Sequence, residues 1–136
     1  LKTDVFVLVT IGNPDHELSG SFNTINLGYI YDDRLMALAY NTADLFVLPS
    51  LEDNLPNVMT EAMACGTPVV SFDIGGMQDI IENNKNGLRA NELNSISLSK
   101  HINKGLELNW NRNSIRKFAT ENFNNEKQSK KIIDLY

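Results

Sequence analysis

One cysteine in 136 residues excludes an internal disulfide framework and suits a reducing compartment. No apolar run approaches the length needed to span a membrane, and no signal-peptide pattern opens the chain. Positive charge is scarce: 12 Lys and Arg stand against 17 Asp and Glu, a net charge of −5. With no basic stripe to offset that balance, nucleic acid is excluded as a partner class. Internal repeats and low-complexity segments are absent. A dehydrogenase-type dinucleotide domain is set aside as well, because "VLVTIGNPDHE" carries no G-x-G-x-x-G after the first strand signal. The sharpest shortage is local. From Leu35 to Asn84 there is neither lysine nor arginine, while Asp44, Glu52, Asp53, Glu61, Asp73, Asp79 and Glu82 all fall there.

What is present is an ordinary soluble composition, 42% apolar and 21% charged, in a chain the size of one domain. The chain opens on Leu1, and a strand signal follows almost at once at Val5. We therefore expect residues 1–136 to form a single domain truncated at its N-terminus, with 93–136 as its helical tail. Strand signals occur at 5–10, 25–30, 45–50, 68–72 and, more weakly, 87–90. Three of them are near-continuous apolar runs, as in strands buried on both faces of a sheet.

Helical patterns lie between these runs. Asp32 or Asp33 can cap a helix over 34–43, with Leu35, Leu38, Ala39 and Ala43 on one face. A second helix runs from near Pro56 to Cys65, where Gly66 is a natural left-handed stop. A short third helix is expected over 77–84, closed by the turn signature "NKNG". Helices are also expected over 95–108, 111–123 and 125–136. The polar, turn-rich stretch 12–24 stands where a crossover helix would normally join two parallel strands. The pattern predicts an α/β, Rossmann-like doubly wound parallel sheet with helices on both faces and a C-terminal helical tail.

Such sheets bind ligands off the carboxyl ends of their strands. The loop after "LFVLPS" lies there and contains Asp53, and the helix that follows carries Glu61. A helix N-terminus favours an anion, so two carboxylates beside it call for a reason. Carboxylates accept hydrogen bonds from hydroxyls, which sugars supply, while backbone N–H groups from Leu55 to Val58 can hold a phosphate. The plain alternative is that the acids merely stabilise the helix, by about 0.3–1 kcal/mol each.

The stretch "LFVLPSLEDNLPNVMTEAMACGTPVVSFDIGGMQDIIENNKNGL" resembles the donor-binding half of retaining glycosyltransferases of family 4, the "glycosyl transferases group 1" with a GT-B fold. That signature has two acids separated by seven residues, a small-residue helix, then G-x-P-V-V. Here it is carried by Asp53 and Glu61, "AMACGTPVV", and the pair Gly75 and Gly76. The resemblance implies one half of a GT-B fold and catalytic roles for Asp53, on the transferred sugar, and Glu61, on the ribose. It implies donor contacts from Asn54, Leu55, Pro56, Asn57, Val58, Glu61, Gly75 and Gly76, with the diphosphate at the helix N-terminus. No metal and no cofactor are implied; a nucleoside diphosphate sugar is the substrate. The acceptor, a glycan or lipid-linked glycan, is expected to bind mainly to an N-terminal domain this chain lacks. This fragment is therefore expected to be inactive alone. Polysaccharide biosynthesis is the implied context, in the cytoplasm or peripheral to the inner membrane face.

The sequence departs from the family pattern in two places. The family's basic diphosphate grip lies on a segment before the first strand here. The first acid, commonly Glu with glycine soon after, is Asp53 followed by Asn54. Asp53 in place of Glu, together with the irregular stretch 12–24, favours the alternative, a non-catalytic nucleotide- or partner-binding module of the same fold. Other residues read as structural. Cys65 is a small core residue, Met59 and Met63 are packing, and Trp110 anchors the tail. His16 and His101 are solvated, and Lys127, Lys130 and Lys131 form a charged helix face.

Overall fold

A computed structural model describes residues 7–12, 23–49, 51 and 57–123. Its elements in chain order are β1 (Val7–Thr10), β2 (Asn23–Asn26), α1 (Asp33–Thr42), β3 (Phe46–Leu48) and α2 (Asn57–Ala64). They continue with β4 (Val69–Phe72), α3 (Met77–Ile80), β5 (Gly87–Ala90), α4 (Ser95–Glu107) and α5 (Arg112–Asn122). Among the described residues every strand pair is parallel. β1 pairs with β2, and β3, β4 and β5 form a second ladder in that order. The helix expected over 125–136 lies outside the described residues.

Helices cover both faces of the three-stranded ladder, and β4 shows how. Val69 joins a core cluster with Met59, Ala62 and Met63 of α2, Met77 of α3 and Ile115 and Ala119 of α5. Its neighbour Val70 points the opposite way, as successive strand residues must. There it meets α4: a Cβ added to Gly105 would lie 2.9 Å from a Leu45 methyl and 3.4 Å from Val70 Cγ2. All four residues of β4 are buried, which accounts for its unbroken apolar reading. Among the described residues no helix is long and apolar enough to cross a membrane.

Gly66 ends α2 as expected. At φ +79° its N–H donates to Met63 O, and Thr67 N–H donates back to Ala62 O, so two terminal carbonyls are satisfied. Three expectations are corrected. The second strand is Asn23–Asn26 rather than 25–30, so Asn23 and Thr24 belong to it and not to the preceding loop. Gly28, at φ +68°, cannot continue an extended strand, and Asn26 Oδ1 accepts its N–H in a local turn. On α1 it is Ala37 and Tyr40 that turn inward, whereas Leu35 and Leu38 stay about half exposed and Ala43 is the C-cap. Tyr40 packs into the core cluster and edge-on against Phe46, whereas Leu35 and Leu38 line an apolar cavity with the segment after β2. Finally, α3 is one turn rather than 77–84. The Asn86 side chain accepts the Glu82 N–H and donates to Ile80 O, taking over bonds the helix would have made.

The positive charge missing from 35–84 arrives from elsewhere in the chain. Arg112 of α5 donates to the carbonyls of Ala43, Asn41 and Tyr40 and to Thr67 Oγ1, closing the C-terminal end of α1. Arg116 donates to Cys65 O at the end of α2. Cations at helix C-termini oppose the macrodipole, and these do so across the tertiary fold. We expect Arg112→Ala to lower stability by about 2 kcal/mol in urea unfolding, the scale of losing charge-assisted bonds at partly buried carbonyls. A change below about 0.5 kcal/mol would show that water replaces the guanidinium at no cost.

Candidate functional site

Because β3 and β4 are parallel neighbours, the segments that leave them emerge at the same edge of the sheet. The first leads into α2, which opens at Asn57; the second is the turn through Ile74, Gly75 and Gly76 that leads into α3. Topology thus brings the N-terminus of α2 and the Gly75–Gly76 turn to one carboxyl edge. Of the residues expected to bind there, Asp53, Asn54, Leu55 and Pro56 lie outside the described residues. Asn57 and Val58 occupy the exposed first turn of α2, and Asn57 O accepts the Thr60 hydroxyl at 2.8 Å. Gly75 takes φ +48°, a left-handed conformation, whereas Gly76 sits at φ −64° as the N-cap of α3. Only the first of the two glycines is required by its backbone.

Glu61 lies one turn further along α2, between the buried Met59 and Ala62 on one side and α1 on the other. Its Oε2 accepts from the hydroxyl of Tyr40 at 3.4 Å. Burial pushes the Glu61 carboxyl above the usual carboxylate range. The Tyr40 bond pulls it back, and the negative charge of Asp33 adds to the rise. Tyr40 is raised beyond the ordinary tyrosine range, first by burial and then by the Glu61 charge. This side of the site therefore sets a half-buried carboxyl beside a phenol that stays protonated at neutral pH.

Two contacts escaped the sequence reading. Tyr40 is one; its signal was a polar-tipped ring on a helix whose leucines proved to face outward. Arg89 of β5 is the other. Its Nη1 lies 3.0 Å from Asp73 Oδ1, just past the carboxyl end of β4, so Asp73 is paired after all, as is Glu82 with Lys85 at 3.5 Å. The pair bridges neighbouring strands, since Ser71 and Arg89 stand in register. Among the described residues no group of three or more His, Cys, Asp or Glu converges as metal ligands would. Two open cavities lie away from Glu61. One, of about 380 Å³, is lined by polar groups including Asn84, Asn109 and Asn111. The other, of about 660 Å³, is apolar and runs between the segment after β2 and the exposed leucines of α1.

Residues 6–122 match the family model described as glycosyl transferases group 1. Among curated proteins, an uncharacterized glycosyltransferase of Methanocaldococcus jannaschii is 29% identical over 89% of this chain and 32% of its own length. A UDP-Gal:alpha-D-GlcNAc-diphosphoundecaprenol alpha-1,3-galactosyltransferase of Escherichia coli is 29% identical over 100% of this chain and 37% of its own. Among solved structures, a sucrose-phosphate synthase from Thermosynechococcus elongatus superposes with a TM-score of 0.68 over 96% of this chain and 37% of its own. At 23% identity it attests the fold. The chain spans about a third of the length of these relatives.

Proposed function

Starting from a chain that belongs to the glycosyl transferases group 1 family and has a GT-B-type α/β fold, we propose that it is the donor-binding domain of a retaining glycosyltransferase. The substrate on this reading is a nucleoside diphosphate sugar, and the sugar passes to an acceptor hydroxyl with no metal or cofactor required. The E. coli relative is named for a UDP-Gal donor and a diphosphoundecaprenol-linked acceptor. A nucleotide-sugar donor and a glycan or lipid-linked glycan acceptor are the corresponding classes here.

The observation that carries the reading is Glu61. A half-buried carboxylate one turn into α2 costs desolvation free energy that the single Tyr40 bond only partly offsets, and further hydroxyls would offset the rest. The ribose diol fits that acceptor. The backbone N–H groups at the start of α2, with the helix dipole behind them, suit the diphosphate. The turn at Gly75 and Gly76 lets backbone come close to the nucleotide. Asp53, eight positions before Glu61, takes the hydroxyls of the transferred sugar. Catalytic help is electrostatic: fixed dipoles aimed at the departing diphosphate stabilise the charge that develops there.

Ligand-observed NMR against uridine, guanosine and adenosine diphosphates and their sugars tests this directly. We expect one base to give a signal and Glu61→Ala to weaken it about 10- to 100-fold, the scale of one lost hydrogen bond to a charged acceptor. Equal binding by the Glu61→Ala protein would move the nucleotide away from α2. No binding of any nucleotide by the whole parent protein would sink the donor reading and leave a module that binds a different partner.

A further inference from the structure

Glu61 is held from one side by a residue of α1, 21 positions earlier in the chain. We infer that Tyr40 is a positioning residue for the Glu61 carboxylate, fixing one of its oxygens so that the remaining lone pairs meet a ligand diol. This rests on the reading of Glu61 as the ribose acceptor.

Tyr40 is only 3% exposed, and its ring packs edge-on against Phe46, with centroids 5.5 Å apart and planes at 80°. Its own carbonyl accepts from Thr67 Oγ1 and from Arg112 Nη2, the latter at 3.5 Å. The backbone and the ring are therefore both pinned, and the hydroxyl has a set place. Glu61 is the adaptable partner: a glutamate side chain has three rotatable bonds, and freezing them costs conformational entropy. A hydroxyl donated at 3.4 Å to Oε2 narrows that freedom before any ligand arrives. An ionised carboxylate has about four acceptor positions, so one bond to Tyr40 leaves capacity for two adjacent ligand hydroxyls. Preorganising an acceptor in this way lowers the ordering cost of binding.

The charged and titratable groups around the pair can be named element by element. α1 contributes Asp33, whose negative charge raises the Glu61 carboxyl, and Cys65, just past the end of α2, lies beside Tyr40. From α5, Arg112 and Arg116 bond carbonyls at the C-terminal ends of α1 and α2. The strands under α2 present Phe46, Leu48, Val69 and Ser71, none of which titrates.

The test is Tyr40→Phe, which keeps the ring against Phe46 and removes only the hydroxyl. Two readouts are needed: affinity for the nucleoside diphosphate across pH, and the titration of a ¹³C-labelled Glu61 carboxyl without ligand. We expect affinity at pH 7 to fall about three- to tenfold. Both the acid limb of binding and the Glu61 titration should move to higher pH, because the bond that favours the ionised form is gone. A tyrosine that serves only packing would leave the titration unmoved. In a Glu61→Gln background the same change should shift no titration and cost little affinity. Wild-type binding with an indifferent Tyr40→Phe overturns this inference alone. A wild type that binds no nucleotide overturns both this inference and the donor reading.

Discussion

Replacing Glu61 by glutamine should weaken nucleotide binding about tenfold while making the folded protein more stable at pH 7. The two effects have opposite signs because they arise in different states. In the complex, an ionised acceptor makes hydrogen bonds about twice as strong as a neutral one, so removing the charge costs binding. In the free protein, that same charge is half-buried beside Asp33, and burial holds the carboxyl above its ordinary value. Between the ordinary and the raised values the native state binds more protons than the unfolded chain, so stability falls as pH rises through that window. Above it the penalty persists, and a neutral glutamine escapes it. Below the ordinary carboxylate range both proteins carry a neutral side chain, and the difference vanishes. Thermal melts of the two proteins from pH 4 to pH 8 measure the stability effect, and nucleotide titrations measure the other. A glutamine variant less stable at pH 7, with unchanged affinity, would make Glu61 a structural residue and its bond to Tyr40 a stabilising one.

The second large effect is expected at Gly87. It opens β5, stands in register with Val69, and is fully covered. A Cβ built there would lie 2.1 Å from the carbonyl oxygen of Val69 and 3.1 Å from Ile81 Cγ2. The first neighbour is backbone in a buried strand, so no side-chain rotation can relieve the clash. The strands would have to part at a point where Val69 N–H bonds Asn86 O and Asn84 N–H bonds Gly87 O. We expect Gly87→Ala to cost about 3 kcal/mol or more in urea unfolding, at or beyond the upper end for overpacked cores. A cost under about 1 kcal/mol would mean that β5 slides along β4 and that the register seen here is soft.

Several parts of the fold were legible because their signals are local. The strands at 46–48 and 69–72 announce themselves by unbroken apolar or small residues, whereas Arg89 interrupts the weaker signal at 87–90. The stop of α2 follows from the only residue type that takes φ +79° without strain. Other parts were not legible. "INLGYI" has the composition of a strand, yet Gly28 sits inside it in a left-handed conformation, and composition does not reveal which glycines turn. On α1, leucines and a tyrosine compete for the inward face. Helical periodicity alone allows either stripe, and the winner depends on what α2 and β3 present to it.

The same division runs through the candidate site. By itself the sequence determined the family and the parallel α/β architecture and singled out Glu61 as a candidate, because spacing along a chain and the period of burial are one-dimensional facts. Only the tertiary structure decided what surrounds Glu61 and how the cation-poor stretch is balanced. Tyr40 stands 21 residues before Glu61, and Arg89 stands 16 residues after Asp73. Arg112 lies 69 residues beyond the carbonyl of Ala43 that it closes. Contacts across such distances are set by which faces pack together. The electrostatics of a carboxylate follow from those contacts, not from its neighbours in sequence.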